Sequence, residues 1–160
     1  MAFLVGIGQD SHAFSKKKKQ LVLGGVKISS ENGLQANSDG DVILHALFNA
    51  ISSALGGRSL GMYADGMCLK DGITDSSKYF STIRQMLSES HFKISNISIA
   101  VECKKPKIEE HSSGMKKQIS TILHVPPSKI GITATSGENL TSFGQGKGIQ
   151  AFAMVLLESA

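Results

Sequence analysis

The chain has 160 residues, 41% of them hydrophobic and 19% charged, which suits one globular domain over residues 1–160 with its own core. No stretch approaches the roughly 18 uninterrupted apolar residues of a membrane span, and the opening Met1-Ala2-Phe3-Leu4-Val5-Gly6 lacks a basic region followed by a long apolar one, so no membrane partner and a cytoplasmic location are expected. The net charge of +4 fits an anionic ligand, but it is concentrated in Lys16 to Lys19, where only Phe14 is near enough to stack on a base, so no nucleic-acid partner is expected.

Phe3 to Gly8 is an apolar run predicting a first strand that gives way to a loop at Gln9-Asp10-Ser11-His12. Leu21 to Leu23 and Val26 to Ile28 flank Gly24-Gly25 as a peripheral hairpin, with a turn at Glu31-Asn32-Gly33. Ser38-Asp39-Gly40-Asp41 caps a helix whose apolar positions run from Val42 to Ala54. Residues 56–74 have no periodicity and read as a long loop, and Asp75-Ser76 opens a second helix to about Ser90. A strand over Ile94–Val101, a third helix over about Glu109–Leu123, and strands over Ile130–Ala134 and Ile149–Leu157 complete the chain. The order β, α, α, β, α, β, β predicts an α+β class, with a mixed β-sheet, helices packed on one face and a ferredoxin-like βαβ arrangement.

Three clusters carry chemistry. On an extended strand Asp10 and His12 point to one side, and His45, one helical turn after Asp41, offers a second imidazole; a carboxylate and two imidazoles make a three-ligand zinc set with its fourth place open. Asp41 either orients His45 or only complements the helix dipole. The loop from Thr135-Ser136-Gly137-Glu138 through Gly148 combines hydroxyls, freed backbone N–H groups and a carboxylate, as a diphosphate with a divalent cation requires. Lys104-Lys105-Pro106-Lys107 is a basic turn that either meets a phosphate or is solvated. Cys68 and Cys103 read as free thiols, and His91, His111 and His124 as solvent-facing residues without a role.

In order and spacing, Gly6 to His12, Gly33 to Leu47 and Glu138 to Ile149 resemble the 2-C-methyl-D-erythritol 2,4-cyclodiphosphate synthase family. The resemblance implies a zinc-dependent lyase of the methylerythritol phosphate pathway of isoprenoid precursor synthesis, which cyclises a cytidine-diphosphate-linked methylerythritol 2-phosphate and releases CMP. It implies zinc on Asp10, His12 and His45, and magnesium or manganese on Glu138. It implies substrate contacts from Asp10, His12, Asn37, Ser38 and Asp65, with Ser59, Leu60 and Gly61 at the erythritol hydroxyls. For the cytidine it implies Cys103, Pro106, Lys107, Ile108 and Glu109. Around the diphosphate it implies Ala134, Thr135, Ser136, Gly137 and Glu138, with Ser142 and Gln145 beyond. Ser136 and Asn37 take the catalytic positions, and the family's homotrimer, with sites at subunit boundaries, is the implied assembly.

Three positions depart from the family pattern. Asn37 replaces a histidine, Ser59 the aspartate of an Asp-Ile-Gly segment, and Gln145 an arginine; Lys147 is a candidate replacement for that lost charge. The alternative implied by these changes is a catalytically weakened trimer of the same fold that still binds zinc and nucleotide.

Overall fold

In a computed structural model describing residues 1–160, the first strand outlasts its apolar run. β1 spans Phe3–Ala13 because every residue pairs antiparallel with the last strand, from Phe3 opposite Glu158 to Ala13 opposite Gly148. The expected exit into a loop at Gln9 is corrected: ladder hydrogen bonds keep the polar end extended, so the alternation of faces continues through Asp10 and His12.

β2 (Gln20–Leu23) and β3 (Val26–Asn32) form a separate antiparallel ribbon. Both turn residues have positive φ, 56° at Gly24 and 76° at Gly25, the backbone that two-residue hairpins demand and glycine supplies without strain. The turn expected at Glu31 to Gly33 is displaced, since Asn32 still pairs with Gln20 beyond an irregularity in the ladder.

Helix α1 covers Val42–Ala54 and is capped by Asp41, whose side chain accepts from the Leu44 N–H. The stretch read as loop contains two five-residue helical turns, α2 (Gly61–Asp65) and a π-helical turn (Gly66–Lys70). Elements that short span barely more than one repeat, so no apolar period can reveal them. Asp75 caps a 3-10 turn (Ser76–Tyr79) leading into α3 (Phe80–Ser90). β4 (Phe92–Glu102), α4 (Glu109–Leu123), β5 (Ile130–Thr135) and β6 (Gly148–Ser159) follow.

The main sheet has the order β1-β6-β4-β5; β4 and β5 are parallel and the other pairs antiparallel. The chain is thus α+β with a mixed sheet, and outside the β2-β3 ribbon its strands and longer helices follow the expected order. The ferredoxin-like expectation holds only for the βαβ unit β4-α4-β5. A ferredoxin-like chain runs βαββαβ, whereas here β6 follows β5 directly and inserts between β1 and β4.

One sheet face meets the helices. On β6, Ala151, Ala153, Val155 and Leu157 are buried while Phe152 and Met154 point away; on β1, Gly6 and Gly8 face inward while Val5 and Ile7 are exposed. A Cβ on Gly6 or Gly8 would collide with the Ala50 or Ala46 carbonyl oxygen, so the missing side chains let α1 lie directly on β1. Leu44, Leu47, Phe48 and Ile51 are buried on this helix, each contributing about 1.5–3 kcal/mol of transfer free energy before chain entropy is subtracted.

Candidate metal centre

The β1 register and the close seating of α1 bring three distant residues together. His12 Nε2 lies 3.1 Å, and His45 Nδ1 2.9 Å, from the same Asp10 oxygen, Oδ2. The two rings stand edge to face with centroids 5.8 Å apart. One ligand atom from each of the three residues falls within 4.8 Å of the others, and they form the only group of three or more histidine, cysteine or acidic residues so placed.

Burial opposes ionisation of Asp10, but hydrogen bonds and charge from His12 and His45 outweigh it and bring its carboxyl down to about 2. A carboxylate oxygen between two ring nitrogens needs positive charge there, as protons on the rings or as a single cation. This donor set suits zinc, with three protein ligands and room for a substrate oxygen.

The other edge of the His45 ring is also held. Its Nε2 is 2.8 Å from Ser76 Oγ and 3.4 Å from Ser38 Oγ, and Ser76 in turn donates to Asp39. The sequence reading missed Ser76 and Asp39 as supports. The one available signal was the Asp75-Ser76 helix start, which marks a cap and says nothing of its partner in space.

Asp41 does not orient His45. Fully buried, it accepts from Gly24 N (2.8 Å), Gly25 N (2.7 Å) and Leu44 N (3.0 Å), pinning the ribbon to the start of α1. Burial pushes its carboxyl up to about 6, even though these hydrogen bonds act in the opposite direction.

A cavity of about 280 Å³ opens over the triad, and Asn37, Ser38, Ser59, Leu60, Gly61 and Asp65 all line it. Cys68 also lines this cavity, a placement that no local pattern around it indicates.

None of the residues assigned to cytidine or diphosphate reaches that cavity. They gather at the C-terminal ends of β4 and β5, where Cys103 N donates to Thr135 O and Lys104 N to Phe143 O. Cys103, Pro106 and Ile108 are buried, while Lys107 and Glu109 are exposed. Burial raises the Cys103 thiol to about 12, so it is un-ionised at neutral pH.

Ala134, Thr135, Ser136, Glu138, Ser142 and Gln145 are exposed on the loop side. Gly137, Glu138 and Asn139 are consecutive left-handed residues, with φ of 75°, 48° and 65°. Gly137 fits closely against Gly144, Glu102 accepts from Thr141 Oγ1, and Gln145 Nε2 donates to Asn139 O at 3.3 Å. Two strands, β6 and β4, separate β1 from β5, a span of about 14 Å at ordinary strand spacing. His91 and His124 are exposed and end α3 and α4 in left-handed conformation, and His111 is half-buried on α4. No helix is long and apolar enough to cross a membrane.

The YgbB family profile matches residues 3–158. A 2-C-methyl-D-erythritol 2,4-cyclodiphosphate synthase of Chlamydia trachomatis is 42% identical over 157 residues, covering 97% of this chain and 88% of that protein. The Chlamydia caviae protein of the same name is 44% identical over 155 residues, covering 96% and 88%. Among solved structures, the CDP complex of IspF from Plasmodium falciparum superposes with a TM-score of 0.86 at 30% identity, covering 99% of this chain and 97% of that one.

Proposed function

The chain belongs to the YgbB family, and from that premise we infer that it is a cyclising phosphorus-oxygen lyase, converting 4-diphosphocytidyl-2-C-methyl-D-erythritol 2-phosphate to 2-C-methyl-D-erythritol 2,4-cyclodiphosphate and CMP. The relatives at 42 and 44% identity bear that synthase name, which places the reaction in the methylerythritol phosphate pathway. The observation that carries the reading is the convergence of Asp10, His12 and His45 beneath a cavity lined by Asn37, Ser38, Asp65 and the Ser59-Leu60-Gly61 segment.

In the reaction an oxygen of the 2-phosphate forms a bond to the β-phosphorus of the CDP group, and the bond to the α-phosphate bridging oxygen breaks, releasing CMP. The chain's task is to fold a flexible substrate back on itself and to balance its charge. Zinc on Asp10, His12 and His45 supplies Lewis-acid charge when bound. Asn37 and Ser38 face the cavity and donate to substrate oxygens there. Ser136, whose Oγ accepts from the Glu138 N–H at 3.4 Å within the left-handed turn, presents its hydroxyl to the diphosphate. Glu138 is exposed and belongs to no cluster of three histidine, cysteine or acidic residues, so it would hold magnesium or manganese only together with the diphosphate. Lys107 is exposed beside the buried Cys103, Pro106 and Ile108, in position to meet the nucleotide.

That no nucleotide-side residue lines the triad cavity supports a homotrimer in which the metal side of one subunit faces the nucleotide side of its neighbour. The exposed apolar sheet face, with Val5 65%, Ile7 59% and Met154 49% accessible, supports the same assembly. A cytoplasmic location belongs to this proposal.

The test is to incubate purified chain with the substrate and follow CMP, with zinc content measured in parallel. CMP release that disappears in His12→Ala and His45→Ala supports the reading. CDP binding without CMP release overturns it in favour of the weakened, non-catalytic trimer.

A further inference from the structure

We propose that Ser76 and Asp39 are positioning residues that fix which nitrogen of His45 faces the metal; this rests on the zinc site assigned above. The direction of the hydrogen bonds is forced by what each group can donate. Both Asp39 oxygens accept backbone N–H groups, from Asp41 and Ser76, and the single hydroxyl proton of Ser76 goes to Asp39 Oδ1. Ser76 Oγ is then left to accept, and the group facing it at 2.8 Å is His45 Nε2, which must carry the proton. With Nε2 engaged in this way, the nitrogen offered to a metal is Nδ1, the atom 2.9 Å from Asp10 Oδ2.

The support is rigid. The Ser76 N–H donates to Asp39 Oδ2 at 3.0 Å, the Asp41 N–H donates to Asp39 Oδ1 at 3.1 Å, and the Asp39 N–H donates to Thr74 O at 2.8 Å. Ser76 is 1% exposed and His45 7%, so water is largely kept from competing for the shared proton. Asp39, Ser76 and His45 thus form a carboxylate-hydroxyl-imidazole chain, in which a serine stands between the acid and the ring it orients.

The decisive measurements are zinc affinity, by competition with a chromophoric chelator, and the long-range proton-nitrogen spectrum of the zinc-loaded protein. Wild type is expected to show the proton on His45 Nε2 and the metal on Nδ1. Ser76→Ala and Asp39→Asn should each weaken zinc binding about 10- to 100-fold, while Ser76→Thr, which keeps the hydroxyl, should stay within about threefold of wild type. Thermal melting of the metal-free proteins controls for folding. Metal on Nε2, wild-type affinity in Ser76→Ala, or a loss in Ser76→Thr equal to that in Ser76→Ala would overturn the proposal. A wild-type chain that takes up no zinc overturns the metal site itself, a failure distinct from these.

Discussion

Gly8 on β1 lies directly beneath the carbonyl oxygen of Ala46 on α1, so close that a Cβ on Gly8 would occupy the same space. The contact is two residues from Asp10 along the strand and one from His45 along the helix. It therefore sets the separation of strand and helix where the Asp10 and His45 side chains meet.

Gly8→Ala is accordingly expected to push α1 outward at Ala46. Overpacking of this kind costs about 1–3 kcal/mol, and movement of His45 away from Asp10 should weaken zinc binding as well. Chemical denaturation and chelator competition read the two effects; a stable variant with wild-type affinity would mean that β1 and α1 do not set the ligand spacing.

Asp41 predicts an unusual pH response. Its carboxyl is raised from 3.8 to about 6, first by burial and secondarily by the Asp39 charge, against the pull of its backbone hydrogen bonds. Between those values the folded chain binds more protons than the unfolded one, so the Asp41 contribution to stability falls as pH rises from about 4 to about 6. Urea unfolding of metal-free wild type and Asp41→Asn across that range should show the difference between them shrinking in wild type's disfavour; a constant difference contradicts the raised carboxyl.

The proposed homotrimer, with its sites shared between neighbouring subunits, predicts complementation. His45→Ala and Glu138→Gln damage opposite halves and should each be inactive alone. Co-expressed in equal amounts, random trimers should recover about a quarter of wild-type CMP release, because each site draws one half from each neighbour. No recovery from a mixed preparation shown to contain hetero-trimers would argue for sites contained within one chain.

Asn37 lines the metal cavity as a neutral amide. Asn37→His should raise turnover if a donor has simply been lost, a loss worth about 10²- to 10³-fold in rate for one transition-state donor. Unchanged or slower CMP release would show a cavity fitted to the amide.

Much of this was legible in local pattern. The α1 bounds followed from Asp41 and the apolar run to Ala54, and the Asp10/His12 alternation followed from strand geometry. The length of β1 was not legible, because it depends on pairing with a strand more than 130 residues away, where Asp10 sits opposite Ala151. Ser76 escaped for a related reason: its partners, Asp39 and His45, are 37 and 31 residues distant, and a serine beside an aspartate reads locally as a cap alone. The insertion of β6 between β1 and β4 likewise leaves no mark on any one segment.

Residues 39–41 join three elements within a single bend: Asp39 holds Ser76, and Asp41 holds both the Gly24-Gly25 turn and the head of α1. In a saturation mutagenesis screen this bend should stand out as intolerantly as Asp10, His12 and His45, although its two acids lie outside that triad. Sensitivity to substitution would then trace the joinery of the molecule as much as its chemistry.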